Sequence, residues 1–195
     1  MRRLAHALEA AGYETFVAGY PSQRATIAEL AKGLAPAVLD FAGRVGRLHF
    51  VGHSMGGLMA RALIADFRPP RLGRVVTIGT PHGGTEIADR LKNNPLFRAY
   101  YGPAGAELGC AASPALNAQL GGIDYPLGSI AGTRALNFIA ARFVLPRPND
   151  GTVSVASTRV EGMADHRLVA CNHFYLPQDA EVIALCRAFL SEGRF

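Results

Sequence analysis

Apolar positions along this chain alternate between two spacings. Helical spacing comes first: Leu4, Ala7, Leu8 and Ala11 make one stripe over residues 1–11, ended by Gly12. Residues 13–18 then read as a strand, and Gly19-Tyr20-Pro21-Ser22 as a turn. Thr26 with Glu29 three residues on is a capping box. The helix it opens carries Ile27, Leu30, Leu34, Val38, Leu39 and Phe41, with a bend expected at Pro36 and closure at 43–46. A short apolar run from Leu48 reads as a buried strand, and 58–67 as a helix stopped by Pro69-Pro70. Residues 74–78, 126–132 and 165–170 read as further strands, and 178–190 as a closing amphipathic helix with Val182, Ile183, Leu185, Phe189 and Leu190 facing in.

Strands that alternate with helices over short connections imply parallel pairing and βαβ crossovers. The expected fold class is α/β: a mostly parallel sheet with helices on both faces. The 195 residues are room for one domain, 1–195. The rhythm loosens after Thr85. A helical stripe runs over 87–97, and 100–122 is rich in Gly, Ala and Pro with a short helix at 114–120. Residues 85–122 are read as an insertion over one sheet edge, either a lid or an ordinary packed connection. Residues 138–145 are apolar and of no clear type.

The strand at Leu48 and the helix at Leu58 are joined by Gly52-His53-Ser54-Met55-Gly56, a G-x-S-x-G. Between a strand and a helix this pattern is a nucleophile elbow. The turn strains the backbone at Ser54, exposes its hydroxyl, and aims the first free helix amides at whatever it attacks. Gly52 and Gly56 are expected because a Cβ at either would clash. The plainer alternative is a Gly-rich turn with Ser54 as helix N-cap.

A serine hydroxyl needs a base, and the base an orienting acid. Of six histidines, His82 and His173 fall in loops at the expected catalytic edge. His173 follows the last strand, as the order Ser…Asp/Glu…His requires, the alternative being a surface or capping histidine. Asp150 sits between the last two strands, in an Asn-Asp-Gly that is also a plain turn signal. Asp124 and Asp165 precede their strands, and Asp179 suits a helix first turn.

Composition narrows the remaining classes. Net charge is +5, yet the arginines are scattered and no basic-aromatic module appears, so nucleic-acid binding is not expected. The balance leaves contact with an anionic or membrane surface open without supporting it. Cys110, Cys171 and Cys186 lack metal-ligand spacing and are an odd count, so they are read as small buried apolar residues. No metal site is expected, and no run approaches a membrane-spanning length.

Taken together, the segments resemble the α/β-hydrolase superfamily, in particular its bacterial lipases and esterases. Gly52 to Gly57 is similar to their elbow and Gly79-Thr80-Pro81-His82-Gly83-Gly84 to the segment after their next strand. Asn149-Asp150-Gly151-Thr152-Val153 is similar to their acid loop, and Asn172-His173 to their base loop. The resemblance implies Ser54 as nucleophile, Asp150 as acid, His173 as base and the Met55 amide as an oxyanion donor. It gives His82 a pocket-wall or structural place. His53, which elbow geometry points away from the reaction centre, is grouped with His82 in the substrate-binding surroundings. It also implies a strand beside the elbow strand and a His-Gly-type loop with a second oxyanion donor, ahead of the helix that here begins at Met1. The chain is thus expected to be N-terminally truncated, either because its start is an internal methionine or because it is a shortened relative. Compartment is cytoplasmic only by default.

The expected activity is carboxylic-ester hydrolysis of a small-molecule or lipid ester through an acyl-enzyme, with no cofactor. Two alternatives stand beside it. One is an impaired hydrolase-fold protein that binds a lipid or partner. The other is an acyltransferase using the same triad. Leu96, Phe97, Leu108 and Leu116 are read either as an apolar acyl pocket or as core.

Overall fold

The computed structural model describes residues 1–91, 93–111, 113–135 and 144–195, without the side chains of 96–101 and 113. Most of the apolar stretch 138–145 lies outside the described residues, as do the side chains of Leu96 and Phe97. In chain order the elements are α1 (Arg2–Glu9), α2 (Ile27–Arg44), β1 (Leu48–His53), α3 (Met55–Phe67), β2 (Leu72–Ile78), α4 (Glu86–Leu91), α5 (Pro95–Glu107), α6 (Ser113–Leu120), β3 (Leu127–Gly132), β4 (Asp165–Val169) and α7 (Ala180–Glu192). Two short 3-10 turns, Ala156–Thr158 and Leu176–Gln178, flank β4. No helix among the described residues is long and apolar enough to cross a membrane.

The four strands form one parallel sheet in the order β1-β2-β3-β4. β3 is buried along its whole length, whereas β4 is exposed at Arg167 and Leu168, as an edge strand is. Alternation along β2 divides the core. Val75 faces Ile64 of α3, while Val76 and Ile78 face Leu4 and Leu8 of α1 and Val182, Cys186 and Phe189 of α7. α2 packs on α3 through Ile27, Leu30, Val38, Leu58, Met59 and Leu63. Its N-terminus is closed by the capping box, with Thr26 N–H donating to Glu29 Oε2 at 2.9 Å. α7 is capped by Asp179, which accepts from the amides of Glu181 and Val182.

Residues 13–18 depart from expectation: they form no strand. Their side chains anchor locally, Tyr13 edge-on to His49 and Phe16 beside Phe41, and Thr15 hydrogen bonds Glu9. Yet the stretch and β1 do not pair and instead both line a cavity of about 760 Å³. Without a ladder partner, strand propensity has nothing to act on. This is the side of β1 on which the resemblance places a further strand.

The expected helix over 87–97 is divided into α4 and α5, and α5 kinks at Gly102, whose φ is 61°. A Cβ there would lie 2.0 Å from the Gln23 carbonyl oxygen, so glycine permits the close approach to residue 23. Ala104, Leu108, Leu116 and Leu120 are buried with α2 and α3. Leu108 and Leu116 are therefore core residues. Cys171 and Cys186 are buried as expected, and Cys110 is half-buried; all three are free thiols.

Candidate active site

β1 delivers the chain to Ser54 in a conformation few L-residues adopt, with φ 55° and ψ −128°. The Ser54 amide donates to the Ile78 carbonyl at 2.8 Å, and its carbonyl accepts from Thr80 Oγ1 at 2.9 Å. Ser54 is the N-cap residue of α3 by position, but its side chain makes no capping bond. Two glycines allow this turn. A Cβ on Gly52 would come within 2.5 Å of the Gly56 and Gly57 backbone, and one on Gly57 within 2.2 Å of Thr80 Oγ1. Gly56 does not share the constraint expected of it: a Cβ there would meet only the Tyr20 hydroxyl, at 3.7 Å. The steric demand falls one residue later because the Thr80 loop packs against Gly57.

His173 stands on the loop after β4 and Asp150 on the loop between β3 and β4. His173 Nδ1 lies 2.7 Å from Asp150 Oδ2, and His173 Nε2 lies 3.1 Å from Ser54 Oγ. Both partners of the ion-pair contact are almost fully buried. A carboxylate only accepts, so Nδ1 carries the imidazole proton and Nε2 is left to accept from the serine hydroxyl. The second carboxylate oxygen, Oδ1, accepts from the amides of Thr152 and Val153 at 2.9 and 2.8 Å. The turn bonds and the His173 contact of Asp150 therefore coexist, one oxygen serving each. The His173 amide also donates to the Asp150 carbonyl at 3.0 Å.

Room for this pair comes from glycines at the strand ends, to which the sequence assigned no such spacing role. A Cβ on Gly79 would lie 3.2 Å from both Asp150 Oδ2 and His173 Nδ1, and one on Gly132 would lie 2.7 Å from Asp150 Cβ. Gly79 also has φ 56°. A glycine directly after an apolar strand was the available signal. Met55 is the first residue of α3, so its N–H has no acceptor within the helix and is directed out of the N-terminus.

The two other histidines take supporting places. His82 is 2% exposed. Its Nδ1 faces Arg61 Nη1 at 3.3 Å and its Nε2 faces Thr77 Oγ1 at 3.3 Å. Burial, reinforced by the Arg61 charge, pushes its pKa down to about 3. Arg61 was not anticipated. It lies buried within α3 and donates to Asn117 Oδ1 at 2.7 Å and to the Gly121 carbonyl at 3.0 Å, while Asn117 Nδ2 donates to the His82 carbonyl. A lone cation inside the apolar run of 58–67 was the sequence signal. His53 Nε2 lies 2.9 Å from the His173 carbonyl oxygen, and the two rings are 4.8 Å apart. Burial lowers the His53 pKa to about 4.

Comparison with known proteins bears on the fold. The family model described as the alpha/beta hydrolase fold matches residues 28–127, just over half the chain. Triacylglycerol lipases of Pseudarthrobacter phenanthrenivorans and Burkholderia plantarii are each 46% identical to it over 47 residues. That stretch is 24% of this chain but only 14% and 13% of theirs, a small part of the length of these curated relatives. Among solved structures, a Bacillus licheniformis lipase in mature form is similar with a TM-score of 0.77 at 18% identity, covering 98% of this chain and 84% of that one. The Staphylococcus hyicus lipase gives 0.74 at 15%, covering 95% and 86%. At these identities the likeness is one of fold. By the family match, this chain belongs to the alpha/beta hydrolase fold family.

Proposed function

We propose that the protein is a serine carboxylic-ester hydrolase of lipase or esterase type. The observation that carries the reading is the contact chain from Asp150 Oδ2 through the two His173 nitrogens to Ser54 Oγ, at 2.7 and 3.1 Å, on a serine held at positive φ. In this mechanism Ser54 Oγ attacks the ester carbonyl carbon as its proton passes to His173 Nε2. Asp150 holds the imidazole tautomer and stabilises the imidazolium. The developing oxyanion accepts from the Met55 amide at the α3 N-terminus. His173 returns its proton to the leaving alkoxide, and an acyl-Ser54 ester remains. Water then gives up a proton to His173, adds to the acyl carbon, and the acid departs as Ser54 regains its hydrogen.

The described part of the 85–122 connection serves here as a wall rather than a moving lid, since Ala104, Leu108, Leu116 and Leu120 are packed into the core. His82 belongs to the framework under that wall: its ring nitrogens face Arg61 and Thr77, so it positions the 79–84 loop rather than touching substrate. Hydrolysis of short p-nitrophenyl esters tests the reading. The wild type is expected to release nitrophenolate, and Ser54→Ala to fall to background while keeping its circular dichroism spectrum. Full activity in Ser54→Ala would refute the assignment of nucleophile.

A further inference from the structure

The base loop carries its own problem. His173 is flanked by Phe174 and Tyr175, which are 64% and 47% exposed. A base on a short surface loop must still hold Nε2 at hydrogen-bond distance from Ser54, and a displacement of about 1 Å can cost ~100-fold in rate. The His173 main chain is held at two points. Its amide donates to the Asp150 carbonyl, which ties the base to the acid. Its carbonyl accepts from His53 Nε2 at 2.9 Å, which ties the base to the elbow.

That second tie has a specific geometry. His53 is the last residue of β1, paired with Ile78 of β2, and it immediately precedes Ser54. A carbonyl oxygen only accepts, so His53 Nε2 carries the proton. The His53 ring is inclined 42° to that of His173 and also borders the cavity beside β1. The strut and the nucleophile thus leave the same rigid strand end as neighbours. A movement of the elbow would be passed to the base loop through this bond.

We propose that His53 is a positioning residue: its Nε2–H, bonded to the His173 carbonyl, locks the base loop onto the elbow. This rests on the reading of Ser54, Asp150 and His173 given above. It replaces the expectation that His53 contacts substrate. The low pKa of His53 supports the inference by keeping the ring neutral beside the second imidazole.

Two substitutions separate the hydrogen bond from bulk. His53→Gln keeps an N–H near the place of Nε2, and His53→Phe keeps a ring without a donor. Ester hydrolysis by His53→Phe is expected to lose about 10- to 100-fold in kcat with KM little changed, and His53→Gln to recover to within about threefold of wild type. 15N spectra of the histidine rings give a readout independent of turnover. His53 is expected as the Nε2–H tautomer, with His173 signals displaced in His53→Phe and returned in His53→Gln. A raised KM with kcat intact would overturn the proposal in favour of substrate contact. Unmoved His173 signals and unchanged kcat in His53→Phe would make His53 a bystander. Failure of a folded His53→Gln to restore either readout would remove the hydrogen bond from the account. If the wild type hydrolysed no ester, the proposed function would fail, while the ring spectra would still decide the fate of this strut.

Discussion

Asp150→Asn separates the turn bonds of Asp150 from the orienting role proposed for it. The side chain keeps its shape, and its carbonyl oxygen can take the place of Oδ1, accepting from the amides of Thr152 and Val153. The turn is therefore expected to survive, with the unfolding free energy shifted by no more than about 1 kcal/mol. The amide nitrogen then faces His173 Nδ1 at the present 2.7 Å. An NH2 group only donates, so Nδ1 must become the acceptor and the imidazole proton moves to Nε2. A protonated Nε2 at 3.1 Å from Ser54 Oγ cannot accept the serine proton. This tautomer reversal costs roughly 10⁴-fold in kcat where an acid of this kind orients a catalytic histidine. The loss corresponds to about 5.5 kcal/mol of barrier. Asp150→Ala is expected to lose activity as well, and also roughly 3 kcal/mol of stability with the two amide contacts. The assays are stopped-flow release of p-nitrophenol and urea unfolding followed by tryptophan-free circular dichroism, since the chain contains no Trp. An Asp150→Asn enzyme within about tenfold of wild-type kcat would reduce Asp150 to a turn residue and send the search for the acid elsewhere.

Further outcomes follow from the packing and the titrating groups. Gly57→Ala, whose Cβ would sit 2.2 Å from Thr80 Oγ1, is expected to destabilise the fold by about 1–3 kcal/mol in urea, whereas Gly56→Ala, with its nearest atom at 3.7 Å, is expected to fall within about 0.5 kcal/mol of wild type. Arg61→Met is expected to lower stability by about 2–4 kcal/mol by removing the buried hydrogen bonds to the Gly121 carbonyl and Asn117 Oδ1, read by the same unfolding curves. His53, His82 and His166 are held neutral in the fold, with pKa values lowered to about 4, about 3 and about 4. The unfolded chain binds protons at these sites below pH ~6.5 and the folded chain does not, so Tm is expected to fall as pH drops from ~6.5 toward ~4. His82→Gln should be less stable at neutral pH yet show a shallower acid slope, and an unchanged slope would contradict the assignment.

What could be read from residues alone divides along a physical line. Local geometry was legible. A serine between glycines at a strand–helix junction implies a strained turn, and the Thr26–Glu29 capping box marks where α2 starts. The alternating runs gave four parallel strands close to their observed bounds. Features set by distant partners were not legible. Residues 13–18 have strand character, but whether they join a ladder depends on what lies beside β1, and there a cavity intervenes. The demand for glycine at 57 rather than 56 is imposed by Thr80, from another loop. Gly102 is needed because residue 23 passes it, nearly eighty positions away in the chain. Arg61 and His82 find one another only after α3 and the β2 exit loop pack together, so neither could be assigned from its own neighbourhood. The placement of His53 against the His173 carbonyl joins residues 120 apart.

The central claim is that Ser54 is made nucleophilic by His173 and Asp150 in the folded protein. Its most direct measurement is covalent labelling with a fluorophosphonate, followed by intact mass and peptide mapping. The account predicts one adduct per chain, on Ser54, formed rapidly in the wild type and slowed by orders of magnitude in His173→Ala and Asp150→Asn. An adduct on another residue, or a folded wild-type protein left unlabelled, would contradict it.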